Sequence, residues 1–359
     1  MSTNSKSDDT EAPILGASDE TKDRPKVTIN DIARMANVSK KTVSRVINES
    51  PLVREETRER VKAIIARTGF APDPQARALA MRKSFLVGMV YDNPSPQYVV
   101  SMQRGILDVL NETSFQLVLS PCERGDKSYR QRVESFVTQH KPTGLILTPS
   151  VSEDDELAKT LRKMDCDYVR IASEELDEPQ RMIRSLDGEG AAQAARHLAS
   201  LGHRQIAHIH GPNSFRSMHE RIDGFKRGLE EAGLSLDPDL TVEGAYTFES
   251  GVTCMEKLLC GKKKPTAVFA GNDEMAMGAY LAVRRAGLNI PQDISIVGYD
   301  DTPISSRIWP PMTTVRHPIR KMGEAAARLL LRTVGGGKTP DVETFTPEIV
   351  VRESTSHTK

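Results

Sequence analysis

A run of cations and hydroxyls near the N-terminus has the spacing of a nucleic-acid-binding helix. It lies in the segment TINDIARMANVSKKTVSRVIN, residues 28–48. On a helix that begins after Ser39, one face is apolar and consists of Val43, Val46 and Ile47. The opposite face consists of Lys40, Lys41, Ser44 and Arg45. A short helix with these two faces fits the major groove of duplex DNA, so the pattern predicts DNA binding. A helical hairpin whose charged face is merely solvated is the alternative that the pattern leaves open.

Polar residues are predicted to fix the ends of two helices that carry this surface. Thr28 suits the N-cap of the first helix, and Asp31 three residues later completes a capping box. Asn37 tolerates a left-handed turn between the helices, and Ser39 suits the N-cap of the second. A buried stripe is predicted from the helical spacing of Ile29, Ile32, Ala33 and Ala36.

Two more helices are predicted before the chain changes character. Residues 54–67 form an amphipathic segment with an apolar seam at Val61, Ile64 and Ile65. Residues 73–83 follow as a very short helix, with Asp73 as N-cap and Pro74 at the first helical position. This helix would be marginal alone in water, and it carries one prominent apolar residue, Leu79.

The segment Val27–Lys83 resembles the DNA-binding headpiece and hinge helix of the LacI/GalR transcriptional repressors, and the resemblance extends to Arg352. It implies contacts to, or orientation against, DNA phosphates for Thr28, Ser39, Thr42 and Asn48. It implies contacts to base edges for Lys40, Lys41, Ser44 and Arg45. It also implies that Leu79 and its dimer mate wedge into the minor groove at the operator centre, where unstacking costs roughly a few kcal/mol per base step.

From about residue 84, short apolar runs alternate with amphipathic segments. The runs read as buried parallel strands at Phe85–Val90, Gln116–Leu119, Gly144–Leu147, Ile206–Ile209, Ala267–Ala270 and Ile294–Gly298. The segments between them predict helices at Val100–Leu110, Tyr129–Gln139, Gly190–Leu201, Glu220–Ala232, Gly251–Leu259 and Glu274–Ala286. Such alternation is typical of doubly wound α/β sheets with helices on both faces, here as two six-stranded lobes.

The loops at the carboxyl ends of these strands are the predicted ligand site, because doubly wound sheets bind ligands there. These loops are His210–Arg216, Gly271–Asp273 and Tyr299–Asp301. Their amide, carboxylate and guanidinium groups suit a ligand rich in hydroxyls. Asp273 is predicted to cap the next helix, which leaves Asn272 to face the cleft. For Asp300 and Arg221, a turn residue and a solvated helix residue remain the alternatives.

The body of the chain carries further signatures of the same family, GNDEMAMGAY, ISIVGYDDTP and PPMTTV. The resemblance implies an effector, a sugar or a nucleobase, held between two lobes. It assigns ligand contacts to Tyr98, Arg221, Tyr246, Asn272 and Asp300. Two segments depart from the family pattern: DNPSPQYVVSM replaces its commoner NPFF, and Ser185–Gly188 lacks the usual asparagine after the aspartate.

Charge is distributed unevenly along the 359 residues, although the formal net charge is zero. Residues 26–83 hold 13 Lys and Arg against 6 Asp and Glu, an excess of 7 positive charges. The remainder therefore holds the matching excess of 7 negative charges. A basic head on a mildly acidic body is the expected electrostatic footprint of a DNA-binding protein, since phosphate contacts dominate affinity.

Other chemistry finds little support in the sequence. The four cysteines, Cys122, Cys166, Cys254 and Cys260, have no paired spacing, which favours a reduced cytoplasmic interior over a disulfide framework or a zinc site. His208 and His210 alternate on a strand as metal ligands could, but no third ligand is evident. There is no nucleophile elbow and no phosphate-binding loop, so neither an enzyme nor a bound cofactor is predicted. No apolar run approaches the roughly 20 residues of a membrane span.

These observations predict a cytoplasmic, homodimeric transcriptional regulator that binds a near-palindromic operator and responds to a small ligand. The expected domains are a disordered tail (1–26), a helix-turn-helix domain (27–72), a hinge helix (73–83), a two-lobed effector and dimerisation domain (84–353) and a second tail (354–359). The expected ligand is a mono- or disaccharide. The alternative is a sugar-binding protein that never contacts DNA.

Overall fold

The computed structural model describes residues 27–47, 50, 52–70, 84–123, 125–337 and 341–358. The predicted N-terminal tail, the fourth short helix and two of the predicted DNA contacts, Asn48 and Leu79, lie outside these residues. The chain divides into two compact units, and the division falls after Met81.

The described residues of the first unit form three helices around a small apolar core. They are α1 (Ile29–Met35), α2 (Lys40–Ile47) and α3 (Glu55–Thr68). Their core consists of Ile32, Ala33, Ala36, Val43, Val46, Val53, Val61 and Ile64. All three helices occur where the apolar periodicity predicts them, with Ile47 and Ile65 packed against the core edge. At the end of α3, Gly69 adopts φ +64°, a conformation that favours glycine.

The predicted helix ends of this unit are confirmed. Oγ1 of Thr28 accepts a hydrogen bond from the Asp31 amide, and the Asp31 carboxylate accepts one from the Thr28 amide at 3.0 Å. Oγ of Ser39 accepts from the Thr42 amide at 3.1 Å, as an N-cap of α2 does. Asn37 sits between the helices with φ +51°.

The second unit contains two six-stranded sheets, which confirms the doubly wound, two-lobed architecture. We call the sheet of order β11-β5-β4-β3-β1-β2 lobe 1 and the sheet of order β12-β10-β9-β8-β6-β7 lobe 2. Lobe 1 strands are β1 (Leu86–Tyr91), β2 (Gln116–Pro121), β3 (Gly144–Leu147), β4 (Asp167–Ala172), β5 (Met182–Ser185) and β11 (Glu343–Phe345). Lobe 2 strands are β6 (Ile206–His210), β7 (Thr241–Glu243), β8 (Ala267–Ala270), β9 (Ser295–Asp300), β10 (Thr313–Arg316) and β12 (Glu348–Val350). Parallel pairing prevails, and β10 with β12 is antiparallel.

Helices cover both sheets. In lobe 1 they are α4 (Pro96–Leu110), α5 (Tyr129–His140), α6 (Asp155–Lys163) and α11 (Ile319–Val334). In lobe 2 they are α7 (Asp187–Ser200), α8 (Arg216–Glu230), α9 (Phe248–Cys260) and α10 (Asp273–Arg285). Short 3-10 turns occur at Val151–Glu153, Pro179–Arg181 and Pro238–Leu240. All six predicted strands and all six predicted helices of this unit are present, whereas α6, α11 and six strands lie outside the predicted segments.

The chain passes between the lobes three times, after β5, after β10 and after β11. The first two passages carry Asp187 and His317, and they bring both side chains to the boundary of the lobes. At the start of lobe 2, helices α7 and α8 pack closely through glycines. A Cβ atom on Gly224 would lie 1.9 Å from the Gly188 carbonyl oxygen, so this crossing requires glycine.

Residues 354–358 pack on lobe 2 rather than projecting as the expected tail. Ser354 is fully buried, and its carbonyl oxygen accepts from the Ile296 amide at 2.9 Å. The Thr358 amide donates to the Leu201 carbonyl oxygen at 3.0 Å. The polar composition of these residues resembles that of a tail, but their backbone groups are held by hydrogen bonds to lobe 2.

Candidate functional site

A small cavity, partly open to solvent, lies between the two lobes at the carboxyl ends of their strands. Its volume is about 40 Å³, which is room for a few water molecules. Pockets for small molecules occupy roughly 300 Å³ or more, so a sugar enters only when the lobes separate or side chains move. All five ligand contacts implied by the resemblance line this cavity: Tyr98, Arg221, Tyr246, Asn272 and Asp300.

Arg221 is held in the cavity wall by its own protein partners. Its Nε and Nη2 donate to one carboxylate oxygen of Asp187 at 3.0 and 2.8 Å, and its Nη1 donates to the Gly271 carbonyl oxygen at 2.7 Å. Its guanidinium carbon lies 3.7 Å from the centroid of the Tyr299 ring, a cation–π contact. Burial alone would raise the pKa of Asp187, but Arg221 and His317 together lower it below its usual value. The arginine is therefore buried and paired, in contrast to the solvated alternative.

The prediction for Asn272 and Asp273 is wrong in its assignment of the helix cap. Asn272 is the N-cap of α10, and its Oδ1 accepts from the Met275 amide at 2.9 Å. Its Nδ2 donates to the Tyr246 carbonyl oxygen at 3.0 Å. The Asn272 side chain therefore lines the cavity and also forms hydrogen bonds with backbone groups. Both residue types cap helices well, and sequence alone does not place the helix start between them.

Asp273 lies fully buried behind the cavity wall. Its Oδ2 accepts from the amide and hydroxyl of Thr302 at 2.7 and 2.9 Å, and its Oδ1 accepts from the Thr314 hydroxyl at 2.6 Å. Burial and the neighbouring charge of Asp300 raise the pKa of Asp273 to about 8. Asp273 therefore ties β9, β10 and α10 together below the cavity.

Asp300 ends β9 and faces the cavity with a constrained backbone. Its φ is +112°, a region that costs strain for a residue with a side chain. Its Oδ1 lies 3.8 Å from Nδ1 of His317, and none of the described residues donates a hydrogen bond to this carboxylate. Acceptors left open in a cavity suit the hydroxyl groups of a ligand.

His317 links the two crossover connections. Its Nε2 lies 3.0 Å from the Ser185 hydroxyl, before the first crossing, and 3.5 Å from Oδ1 of Asp187, after it. Both His317 Nδ1 and Asp187 Oδ1 are buried without a hydrogen bond within the described part of the chain. Asp187 and His317 are thus cavity residues that the sequence reasoning missed. The signal was available only weakly, as a polar residue one or two positions after each of two strands from which the chain crosses between lobes.

Two tyrosines complete the cavity from opposite sides. The Tyr98 hydroxyl, on α4 of lobe 1, is buried and has no hydrogen-bond partner among the described residues. Tyr246 of lobe 2 has φ +60° and packs edge-on against Phe215, with centroids 5.4 Å apart. A Cβ atom on Gly211 would lie 2.0 Å from Cζ of this ring, so glycine is required beneath it. Burial raises the pKa of Tyr246 to about 12, so both hydroxyls act as neutral donors or acceptors.

The histidine pair on β6 has a packing role. His208 is stacked on Phe269 and Phe225, with ring centroids 4.9 and 5.1 Å away, and its Nδ1 lies 3.0 Å from the Phe269 carbonyl oxygen. Burial lowers the pKa of His208 to about 3, so the ring is neutral. In the residues that the structure describes, no cluster of three His, Cys, Asp or Glu is arranged to hold a metal ion.

The predicted DNA-contacting residues of α2 lie together on the outside of the first unit. Lys40 and Lys41 are exposed, and Thr42, Ser44 and Arg45 are half-buried on the same helix. Oγ of Ser39 lies 2.9 Å from Oγ1 of Thr42. This surface presents cations and hydroxyls while Val43 and Val46 are buried beneath it.

The structure describes no helix that is long and apolar enough to cross a membrane.

A three-helix unit with a basic second helix, joined to two doubly wound lobes that enclose a polar cavity, defines a ligand-responsive DNA-binding protein. Residues 28–73 match the family model of bacterial regulatory proteins of the lacI family, and residues 195–355 match that of the periplasmic binding protein-like domain. The chain belongs to the lacI family of bacterial regulatory proteins.

Known proteins similar to this chain cover nearly its whole length. Catabolite control protein A of Priestia megaterium is 35% identical over 85% of this chain and 92% of that protein. The structure of the lac repressor dimer bound to operator and the anti-inducer ONPF is 30% identical, with a TM-score of 0.77, over 92% of this chain and 99% of that one. The structure of a complex of the transcriptional regulator CelR with cellobiose is 32% identical, with a TM-score of 0.69, over 92% and 100%.

Proposed function

We propose that this protein is a homodimeric transcriptional repressor whose affinity for a near-palindromic operator is set by a sugar bound between its lobes. Each first unit would read one half-site through α2, and Leu79 of each hinge would wedge into the minor groove at the centre. The effector would change the separation of the lobes and thereby the spacing of the hinges. Coupling of about 1 to 3 kcal/mol, or roughly 5- to 150-fold in operator affinity, is an ordinary allosteric magnitude.

The observation that carries this proposal is the convergence of the five predicted ligand residues, from both lobes, on one cavity. Tyr98 comes from lobe 1, whereas Arg221, Tyr246, Asn272 and Asp300 come from lobe 2. A ligand that contacts both walls stabilises the closed arrangement relative to the open one, which is the requirement for a ligand to shift a conformational equilibrium.

The cavity chemistry favours a polyhydroxylated effector. Asp300 offers carboxylate oxygens, Tyr98 offers a hydroxyl, and the Tyr246 ring offers a face for stacking on a sugar. The two comparison structures are named for the anti-inducer ONPF and for cellobiose, and a mono- or disaccharide is our proposal for this chain. The Ser185 hydroxyl lies 3.0 Å from Nε2 of His317, but relatives of this chain are named as transcriptional regulators, so we propose a binding role without catalysis, in the cytoplasm.

The test is a DNA-binding measurement on the full chain. Duplex from the region upstream of the protein's own reading frame is titrated in a gel shift at low and moderate salt, with random duplex as reference. The expected result is preferential binding to the upstream duplex, modulated by one member of a panel of mono- and disaccharides that also raises the melting temperature. Sugar binding without any duplex binding at low ionic strength would replace the proposal with a sugar-binding protein that does not act on DNA.

A further inference from the structure

Two hydrogen bonds cross the cleft at Arg216, away from the crossover connections. The backbone amide of Arg216 donates to Oε2 of Glu153 at 3.1 Å, and its Nη1 donates to Oε2 of Glu174 at 3.0 Å. Arg216 is the first residue of α8 in lobe 2. Glu153 ends the 3-10 turn after β3, and Glu174 follows β4, both in lobe 1. Both contacts therefore exist only while the lobes are closed.

Helix α8 has no side-chain cap from its own sequence. Its N-cap residue is Phe215, whose side chain makes no capping hydrogen bond. The first amides of a helix have no partner within the helix, and the helix dipole adds partial positive charge there. Glu153 is buried, with 5% of its surface exposed, and its carboxylate meets this helix end directly. Lobe 1 thus supplies the anionic cap that the sequence of lobe 2 lacks.

The capped helix is also the helix that carries the cavity residues of lobe 2. Ser217 and Arg221 both line the cavity, one and five residues after Arg216. Opening the lobes would uncap α8 and take the Glu153 carboxylate away from its donor. The cost of opening is therefore concentrated at the helix that holds the ligand-binding arginine.

We propose that Glu153 is an interlobe helix cap, a positioning residue that holds α8 and Arg221 against lobe 1 and stabilises the closed form without an effector. Its consequence for operator affinity rests on the proposed function. Its effect on lobe closure does not rest on the proposed function, because lobe closure is measured without DNA or sugar. An experiment can therefore refute the effect on lobe closure without refuting the proposed function, and the reverse.

The pair between Glu174 and Arg216 contributes less than the cap. Their side chains are 40% and 43% exposed, and ion pairs at such exposure contribute little because water screens them. The buried carboxylate on a backbone amide is the stronger contact, since it is charge-assisted and shielded from water. Separating the two contributions is the purpose of the variants.

Proline at Arg216 removes the amide donor and leaves the helix intact. Proline is favoured at the first helical position, and the preceding residue has φ −99° and ψ 122°, which suits a residue before proline. Arg216→Pro loses both contacts, whereas Arg216→Gln loses only the ion pair. Glu153→Gln keeps the shape of the cap and removes its charge. Arg320→Gln is the matched control, because Arg320 pairs with Asp108 at 2.6 Å within lobe 1.

Amide hydrogen exchange of the full chain, followed by mass spectrometry, reads the opening directly even when the open form is rare. The informative peptides cover residues 149–154 and 213–222 on the two sides of the cleft. Loss of the helix cap predicts about tenfold faster exchange in both peptides for Arg216→Pro. Loss of the cap's charge predicts about fivefold faster exchange for Glu153→Gln, because an amide oxygen is a weaker acceptor than a carboxylate. Arg216→Gln should change exchange by about threefold or less, and Arg320→Gln should leave it unchanged.

Wild-type exchange rates in Glu153→Gln would overturn the proposal, and so would an Arg216→Pro variant no faster than Arg216→Gln. A peptide from α5, remote from the cleft, reports whether a variant has lost stability as a whole. Where exchange in α5 accelerates for Glu153→Gln, the comparison of the two Arg216 variants decides, because both keep Glu153.

Discussion

The Asp187 carboxylate lies 2.8 Å from Nη2 of Arg221, and their side chains are only 3% and 9% exposed. The pair joins the first turn of α7 to α8, so the arginine proposed to bind the ligand is neutralised and oriented by the protein itself. An effector therefore meets a preformed wall rather than a mobile cation. In such a wall, removal of the carboxylate has consequences for stability as well as for binding.

Asp187→Ala should lower the free energy of unfolding by about 3 to 5 kcal/mol, because it leaves a buried guanidinium without its counter-charge. Equilibrium urea unfolding of the full chain measures this loss. Glu231→Ala is the control, since it removes an exposed partner of Arg196 and should cost about 1 kcal/mol or less. Equal losses of unfolding free energy in the two variants would show that the buried pair stabilises the fold no more than the exposed pair.

Tyr98→Phe should weaken effector binding about tenfold without loss of stability. The Tyr98 hydroxyl is buried and unpartnered among the described residues, so the empty protein loses no hydrogen bond with it. Tyr280→Phe is the opposite case, because that hydroxyl donates to the Pro310 carbonyl oxygen at 3.1 Å. It should cost about 1 kcal/mol of stability and leave the effector response unchanged. Thermal unfolding with and without the effector separates the two, and a Tyr98→Phe variant with wild-type affinity would remove this hydroxyl from the site.

The sequence predicted those strands best whose residues are all apolar and fully buried. Gly144–Leu147 and Ala267–Ala270 were predicted to the residue. Strand β4 was missed because DYVRIA interrupts its apolar run with Arg170, which is buried and paired with Asp155 at 2.8 Å. Three-residue edge strands such as β7 carry too few residues for any periodicity to show.

The sequence predicts those site residues whose position follows from the local sequence. It misses those that come together only through the topology of the chain. Asn272 lies two residues after β8 and Asp300 is the last residue of β9, so the rule for the carboxyl ends of strands indicates them. Asp187 and His317 come together only because two connections cross between lobes, 130 residues apart in sequence. Nothing in either local sequence indicates that crossing. The Glu153 cap is hidden for the same reason, since its acceptor and donor lie in different lobes.

The contribution of Asp273 to the free energy of unfolding should fall as the pH rises from about 4 to about 8. The folded pKa of about 8 lies above the usual carboxyl value, so the folded protein binds a proton that the unfolded chain releases. The stabilisation is complete below the unfolded pKa and is lost as the pH approaches the folded one. Asp273→Asn mimics the neutral group and should flatten this part of the profile, as measured by urea unfolding at successive pH values. A profile identical to wild type would mean that Asp273 is ionised in the folded protein.

Gly298→Ala provides an independent perturbation of the same group without altering its charge. A Cβ atom there would lie 2.4 Å from Oδ1 of Asp273, so the carboxyl must shift and its bonds to Thr302 and Thr314 must stretch. We expect a loss of about 1 to 3 kcal/mol, typical of overpacking, at every pH. Gly125→Ala is the matched control for a glycine-to-alanine change, because no atom lies within 4 Å of its Cβ position and its φ is not in the left-handed region. A Gly298→Ala variant as stable as wild type would contradict the tight packing beneath the cavity.

Arg45→Ala should lower affinity for the operator by about 1 to 3 kcal/mol and reduce affinity for random duplex much less. A side chain that reads base edges contributes discrimination, whereas one that contacts phosphate contributes equally to every sequence. The helix itself should persist, because Arg45 lies outside the buried face formed by Val43 and Val46. Arg34→Ala on α1, whose guanidinium pairs with Asp31, is the control and should change specificity little. Fluorescence anisotropy with both duplexes at several salt concentrations measures the two affinities. An equal loss of affinity for both duplexes would mean that Arg45 contacts the phosphate backbone rather than base edges.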